Sequence, residues 1–100
     1  MTKVICSITR NDGPLYFECD GHSDYRNNEG YNDVCAEVST LCCMLVRYID
    51  SKGYVPAACE DGHVKINIER SDMFINEVFT AAMLEFSALA ERFPEHIKVY

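Results

Sequence analysis

A histidine and a cysteine carry the chemistry this chain can do: His22 and Cys35, joined by the stretch GHSDYRNNEGYNDVC. A thiol attacks only as thiolate, and a free cysteine with a pKa of about 8.5 is mostly protonated at neutral pH. Two features of the segment favour the anion. Asn32 or Asp33 suits an N-cap, which puts Cys35 in the first turn of a helix. There the orphan amides and the positive dipole end stabilise negative charge by roughly 0.3–1 kcal/mol. An imidazolium at His22, brought back by the intervening chain, adds an ion pair and a route for the proton. The same amides can stabilise the oxyanion formed when a peptide carbonyl is attacked. The plainer alternative is that Cys35 is a small buried hydrophobe and His22 a loop residue, and the residues alone do not choose between the two. Ser23 to Tyr31, with Asn27, Asn28 and Gly30, has few apolar anchors and reads as a lid loop over the thiol.

The elements that must hold these two residues follow from periodicity. Val4, Cys6 and Ile8 alternate with polar positions, Asn11-Asp12-Gly13-Pro14 supplies a turn, and Leu15, Phe17 and Cys19 resume the alternation, so a hairpin ends just before His22. A helix is expected from about Asp33 to Lys52, with Val34, Val38, Leu41, Leu45, Tyr48 and Ile49 as its stripe and Gly53 as its stop. Cys42 falls beside that stripe, and it and Cys43 read as packed core thiols. A second hairpin is expected from Tyr54 to Cys59, a turn Glu60-Asp61-Gly62-His63, and a strand around Val64, Ile66 and Ile68. Ser71 or Asp72 then caps a second helix whose Ile75, Val78, Phe79, Ala82, Phe86, Leu89 and Phe93 keep helical spacing until Pro94. Ile97 to Tyr100 can add a short strand at a sheet edge. The order β-β-α-β-β-α-β implies an α+β two-layer sandwich, a largely antiparallel sheet with two helices on one face.

Composition bounds the function. One hundred residues make a single domain, 1–100, which buries roughly 60–70% of its unfolded surface and would gain from a shared face with a second copy. The absence of an eighteen-residue apolar run or an export leader leads to the expectation of a cytoplasmic protein without a membrane contact. With no export signal, the six cysteines point to reduced thiols rather than a disulfide framework. No C-x-x-C occurs, which weakens a thiol redox protein, and vicinal Cys42 and Cys43 on a helix cannot easily pair. Three histidines and six cysteines lie without ligand-pair spacing, so no metal and no cofactor is expected. A formal charge of −7 disfavours direct nucleic-acid binding and suits a basic protein partner.

Gly21-His22, a glycine-containing loop, Asp33-Val34-Cys35-Ala36, Val38-Ser39 and Leu41 together resemble the signature of the ribosomal-processing cysteine protease family, the Prp or YsxB-like proteins. The resemblance covers essentially the whole chain and rests on the GH and VCA-VS motifs jointly. It implies a catalytic dyad at His22 and Cys35 and removal of an aromatic-rich N-terminal extension from a basic large-subunit ribosomal protein. It also implies a homodimer. The loop is one residue longer than the family pattern, so the family aspartate falls on Asp33 or Asn32. Ser23 and Glu37 stand where the family has alanine, Glu37 at a position expected to face solvent. Ser39 matches the family serine and either supports the dyad or back-bonds to a helix carbonyl. The alternative function on the same fold is a noncatalytic ribosome-assembly binding module.

Overall fold

The computed structural model describes residues 1–9, 12–21, 33–60 and 62–100, with Asp33 by its backbone alone. The elements are β1 (Thr2–Ile8), β2 (Leu15–Asp20), α1 (Asp33–Ser51), β3 (Ala58–Glu60), β4 (His63–Ile68), α2 (Met73–Arg92) and β5 (Ile97–Val99). They form a two-layer α+β structure whose five-stranded sheet has the order β3-β4-β2-β1-β5. The sheet is mixed: β1 and β5 run parallel, and the other neighbours are antiparallel.

The strand alternation fixes which side chains meet the helices. Register aligns Ile8, Leu15 and Ile68 in one inward row, Cys6, Phe17 and Ile66 in the next, and Val4, Cys19, Val64 and Cys59 in a third. Phe17 stands at the centre, 5.8 Å by ring centroid from both Phe79 and Phe86 of α2. The opposite face is polar. On it Tyr16 donates to Glu18 at 2.9 Å, and Lys65 sits over the Tyr16 ring. Val34, Val38, Cys42, Leu45 and Ile49 of α1 and Ile75, Phe79, Ala82, Phe86 and Leu89 of α2 are buried, so both helices cover the same face.

The helix stops have identifiable causes. Gly53, at φ 88°, donates to Asp50 O at 3.0 Å while Tyr54 donates to Ile49 O at 2.9 Å, the paired bonds of a Schellman cap. Asp72 caps α2, its Oδ1 accepting from the Ile75 N–H at 2.8 Å; Ser71 instead donates to Asn76 Oδ1 at 2.7 Å. Among the described residues α2 is the one helix long and apolar enough to cross a bilayer, but its apolar stripe packs on the sheet and makes it a core helix.

Three local expectations are corrected. The strand expected from Tyr54 is only Ala58–Glu60, because Tyr54 spends its N–H on the α1 cap and Pro56 has none to give. His63 is not in the turn: it opens β4, opposite both Asp20 and Glu60. Cys43 is exposed rather than packed, one residue past Cys42 and about 100° further round the helix.

Candidate active site

Cys35 sits in the first turn of α1, half-buried, on the wall of an open pocket of about 250 Å³. One wall is α1 from Cys35 to Arg47; the other is the end of the sheet where β2, β3 and β4 meet. Between them the lining is mainly apolar, with Val38, Val46 and Val64 and the sulfurs of Cys19 and Cys42. Ser39 lies on the same wall one turn after Cys35, and its neighbour Thr40 donates to Ala36 O at 2.9 Å. Glu37 is exposed and borders a separate surface groove with Glu85 and Leu89, away from the thiol pocket.

Gly21 closes the other side. It follows the last residue of β2, its φ is 100°, and its N–H donates to Gly62 O at 2.8 Å. A Cβ there would collide with the carbonyl oxygen of Met1, so both conformation and space demand glycine. The sequence shows this glycine as half of a motif, and the structure supplies its physical reason. The chain passes from Gly21 directly to His22. His22, the lid positions Ser23, Asn27, Asn28 and Gly30, and Asn32 lie outside the described residues, as does the side chain of Asp33, the first residue of α1.

His63 also borders the pocket, but its ring is turned to the other side of the sheet. Its Nδ1 is 3.1 Å from Asp20 Oδ1 and its Nε2 is 3.6 Å from Glu18 Oε2, both on the polar face. The imidazole is therefore held by two carboxylates and directed away from Cys35.

Sequence reasoning missed the convergence of thiols. Cys19, Cys42, Cys43 and Cys59 line the same pocket as Cys35. The signal was available, since Cys19 shares the inward parity of Leu15 and Phe17, and Cys42 lies two helical turns from Cys35 on one face. The S–H of Cys42 donates to the sulfur of Cys19, and this bond together with burial holds Cys42 far above the ordinary thiol range. Accepting the same bond lowers the Cys19 pKa, against the opposing effect of burial. Cys6, outside the pocket, is pushed up to about 11 by burial alone. Among the described residues no group of three or more histidine, cysteine or acidic side chains is arranged to hold a metal.

A half-buried thiol in the first turn of a helix, set over a mainly apolar pocket open to solvent on a two-layer α+β frame, is an arrangement that thiol-dependent peptide chemistry can use. The chain belongs to the cysteine protease Prp family, whose model matches residues 1–98. In fold it is similar to the essential ribosomal processing protease Prp from S. aureus, solved with a covalently linked product peptide. That match has 21% identity, a TM-score of 0.70, and covers 99% of this chain and 97% of the other. It is similar also to SMU.848 from Streptococcus mutans, at 27% identity and a TM-score of 0.70 over 99% of this chain and 91% of that one. No curated protein matches the sequence.

Proposed function

We propose that this cysteine protease cleaves by a dyad of Cys35 and His22 and removes an N-terminal extension from a basic large-subunit ribosomal protein in the cytoplasm, working as a homodimer. The observation that carries the dyad is that Cys35 and Gly21 line one pocket and His22 is the next residue of the chain. The substrate reading is supported by the family and by the S. aureus neighbour, described as a ribosomal processing protease with a product peptide covalently attached. In the reaction His22 accepts the Cys35 proton, and the thiolate attacks the scissile carbonyl. His22 then protonates the leaving amine, and water releases the acyl group from sulfur. The apolar lining of the pocket suits the aromatic side chains of such an extension.

The test has two parts. Iodoacetamide labelling with peptide mapping at neutral pH is expected to modify Cys35 first; Cys6, kept protonated by burial, is expected to lag. Cleavage of a synthetic peptide carrying the extension sequence, followed by mass spectrometry, is expected to vanish in Cys35→Ser and in His22→Ala while peptide binding persists. Retained cleavage in either variant rejects the dyad. Binding without cleavage by the unmodified chain would support the adaptor alternative instead.

A further inference from the structure

The pocket holds more thiols than peptide hydrolysis uses, and two of them touch. Cys19 sits in the inward row of the sheet between Val4 and Val64, and Cys42 in the buried stripe of α1; each is 5% exposed. They join the two walls of the pocket, with the S–H of Cys42 donating to Cys19. Cys43 and Cys59 are exposed at the rim. Vicinal Cys42 and Cys43 cannot readily close on a helix, whereas thiols in hydrogen-bond contact need to approach only to about 2 Å.

We propose that Cys19 and Cys42 are a reversible dithiol–disulfide pair that a hydroperoxide oxidises, stapling α1 to β2 across the pocket and closing it to substrate. In the first step the Cys19 thiolate attacks a peroxide oxygen: an S–O bond forms, the O–O bond breaks, and the alkoxide leaves as alcohol after taking a proton. In the second the Cys42 sulfur attacks the Cys19 sulfenic acid: the S–S bond forms, the S–O bond breaks, and the hydroxyl leaves as water with the Cys42 proton. Two thiols are oxidised and one hydroperoxide is reduced to an alcohol and water. The chain between the two sulfurs contains Gly21, His22 and Cys35, so the cross-link encloses both members of the proposed dyad. It restricts the unfolded chain, and it fixes the two walls between which a peptide must enter. Closure to substrate rests on the protease reading; the cross-link and its effect on stability do not.

The experiment uses the Cys35→Ser chain, in which the nucleophile cannot itself be oxidised, treated with one equivalent of tert-butyl hydroperoxide. Peptide mapping without reductant is expected to give a Cys19–Cys42 linked pair. The thermal midpoint is expected to rise by more than about 5 °C. Affinity for the extension peptide is expected to fall at least tenfold, and dithiothreitol to reverse all three. Adding Cys42→Ala is expected to abolish the midpoint shift. A link through Cys43 or Cys59, or sulfinic acids with no link, overturns the proposal. So does a Cys19–Cys42 link that leaves midpoint and peptide affinity unchanged. Failure of the reduced chain to bind the peptide counts against the substrate reading, while the mapping and the midpoint still decide the pair.

Discussion

Two glycines of this chain look alike in their backbone angles and differ in what surrounds them, which separates conformational strain from lack of space. Gly21 and Gly53 both have positive φ, but a Cβ on Gly53 meets nothing within 4 Å, whereas on Gly21 it strikes Met1 O. Gly53→Ala is expected to cost only the left-handed strain, about 1–2 kcal/mol. Gly21→Ala should cost more, because the start of β1 must also move, and should reduce peptide cleavage by displacing the residue that leads to His22. Urea denaturation of both variants beside the unmodified chain is the check, and equal costs would show that the Met1 contact yields freely. At this scale the sequence made the thiol legible, because Asn32-Asp33 before an apolar helical stripe fixes Cys35 in a first turn. It did not make His63 legible as a strand residue. Asp-Gly hairpin turns take only two residues, and whether His63 belongs to turn or strand depends on pairing with Asp20, which is distant in sequence.

At the scale of elements, both helices and the first hairpin were legible because each carries a period and a stop: 3.6 and Gly53 for α1, 3.6 and Pro94 for α2, and 2 for the strands. The loss of Tyr54 to Ala57 from β3 was not, since it follows from a helix cap claiming the Tyr54 N–H, a competition that local alternation does not register. The same periods say which face of α2 is structural. Phe79 is fully buried against Phe17, while Leu84 is 70% exposed. Phe79→Ala is expected to lower stability by about 3–5 kcal/mol, through lost burial and the cavity left beside Phe17. Leu84→Ala should stay within about 0.5 kcal/mol. Paired thermal and chemical denaturation would measure both. A comparable loss at Leu84 would mean that this side of α2 is covered in solution.

At the scale of the whole molecule, a formal charge of −7 on one hundred residues sets a field that reaches past any single contact. At physiological ionic strength that field decays over about 8 Å, so it acts on encounter more than on the docked state. A basic ribosomal protein would be drawn in by it, and the apolar pocket beside Cys35 would hold the aromatic extension after arrival. Stopped-flow binding of the full-length substrate to the Cys35→Ser chain is therefore expected to show an association rate that falls as salt rises, with the dissociation rate nearly constant. The proposed homodimer can draw on the exposed apolar side chains of α2, where Met73, Phe74 and Leu84 are 63%, 59% and 70% exposed, although Asn76, Glu77 and Thr80 stand between Met73 and Leu84. Two copies that each carry −7 repel, so apolar burial must outweigh that repulsion, and the dimer should tighten with salt while substrate association slows. Sedimentation across protein concentration at low and high salt distinguishes these opposite dependences. A monomer at every concentration removes the dimer, and a salt-independent association rate for the basic substrate removes the steering.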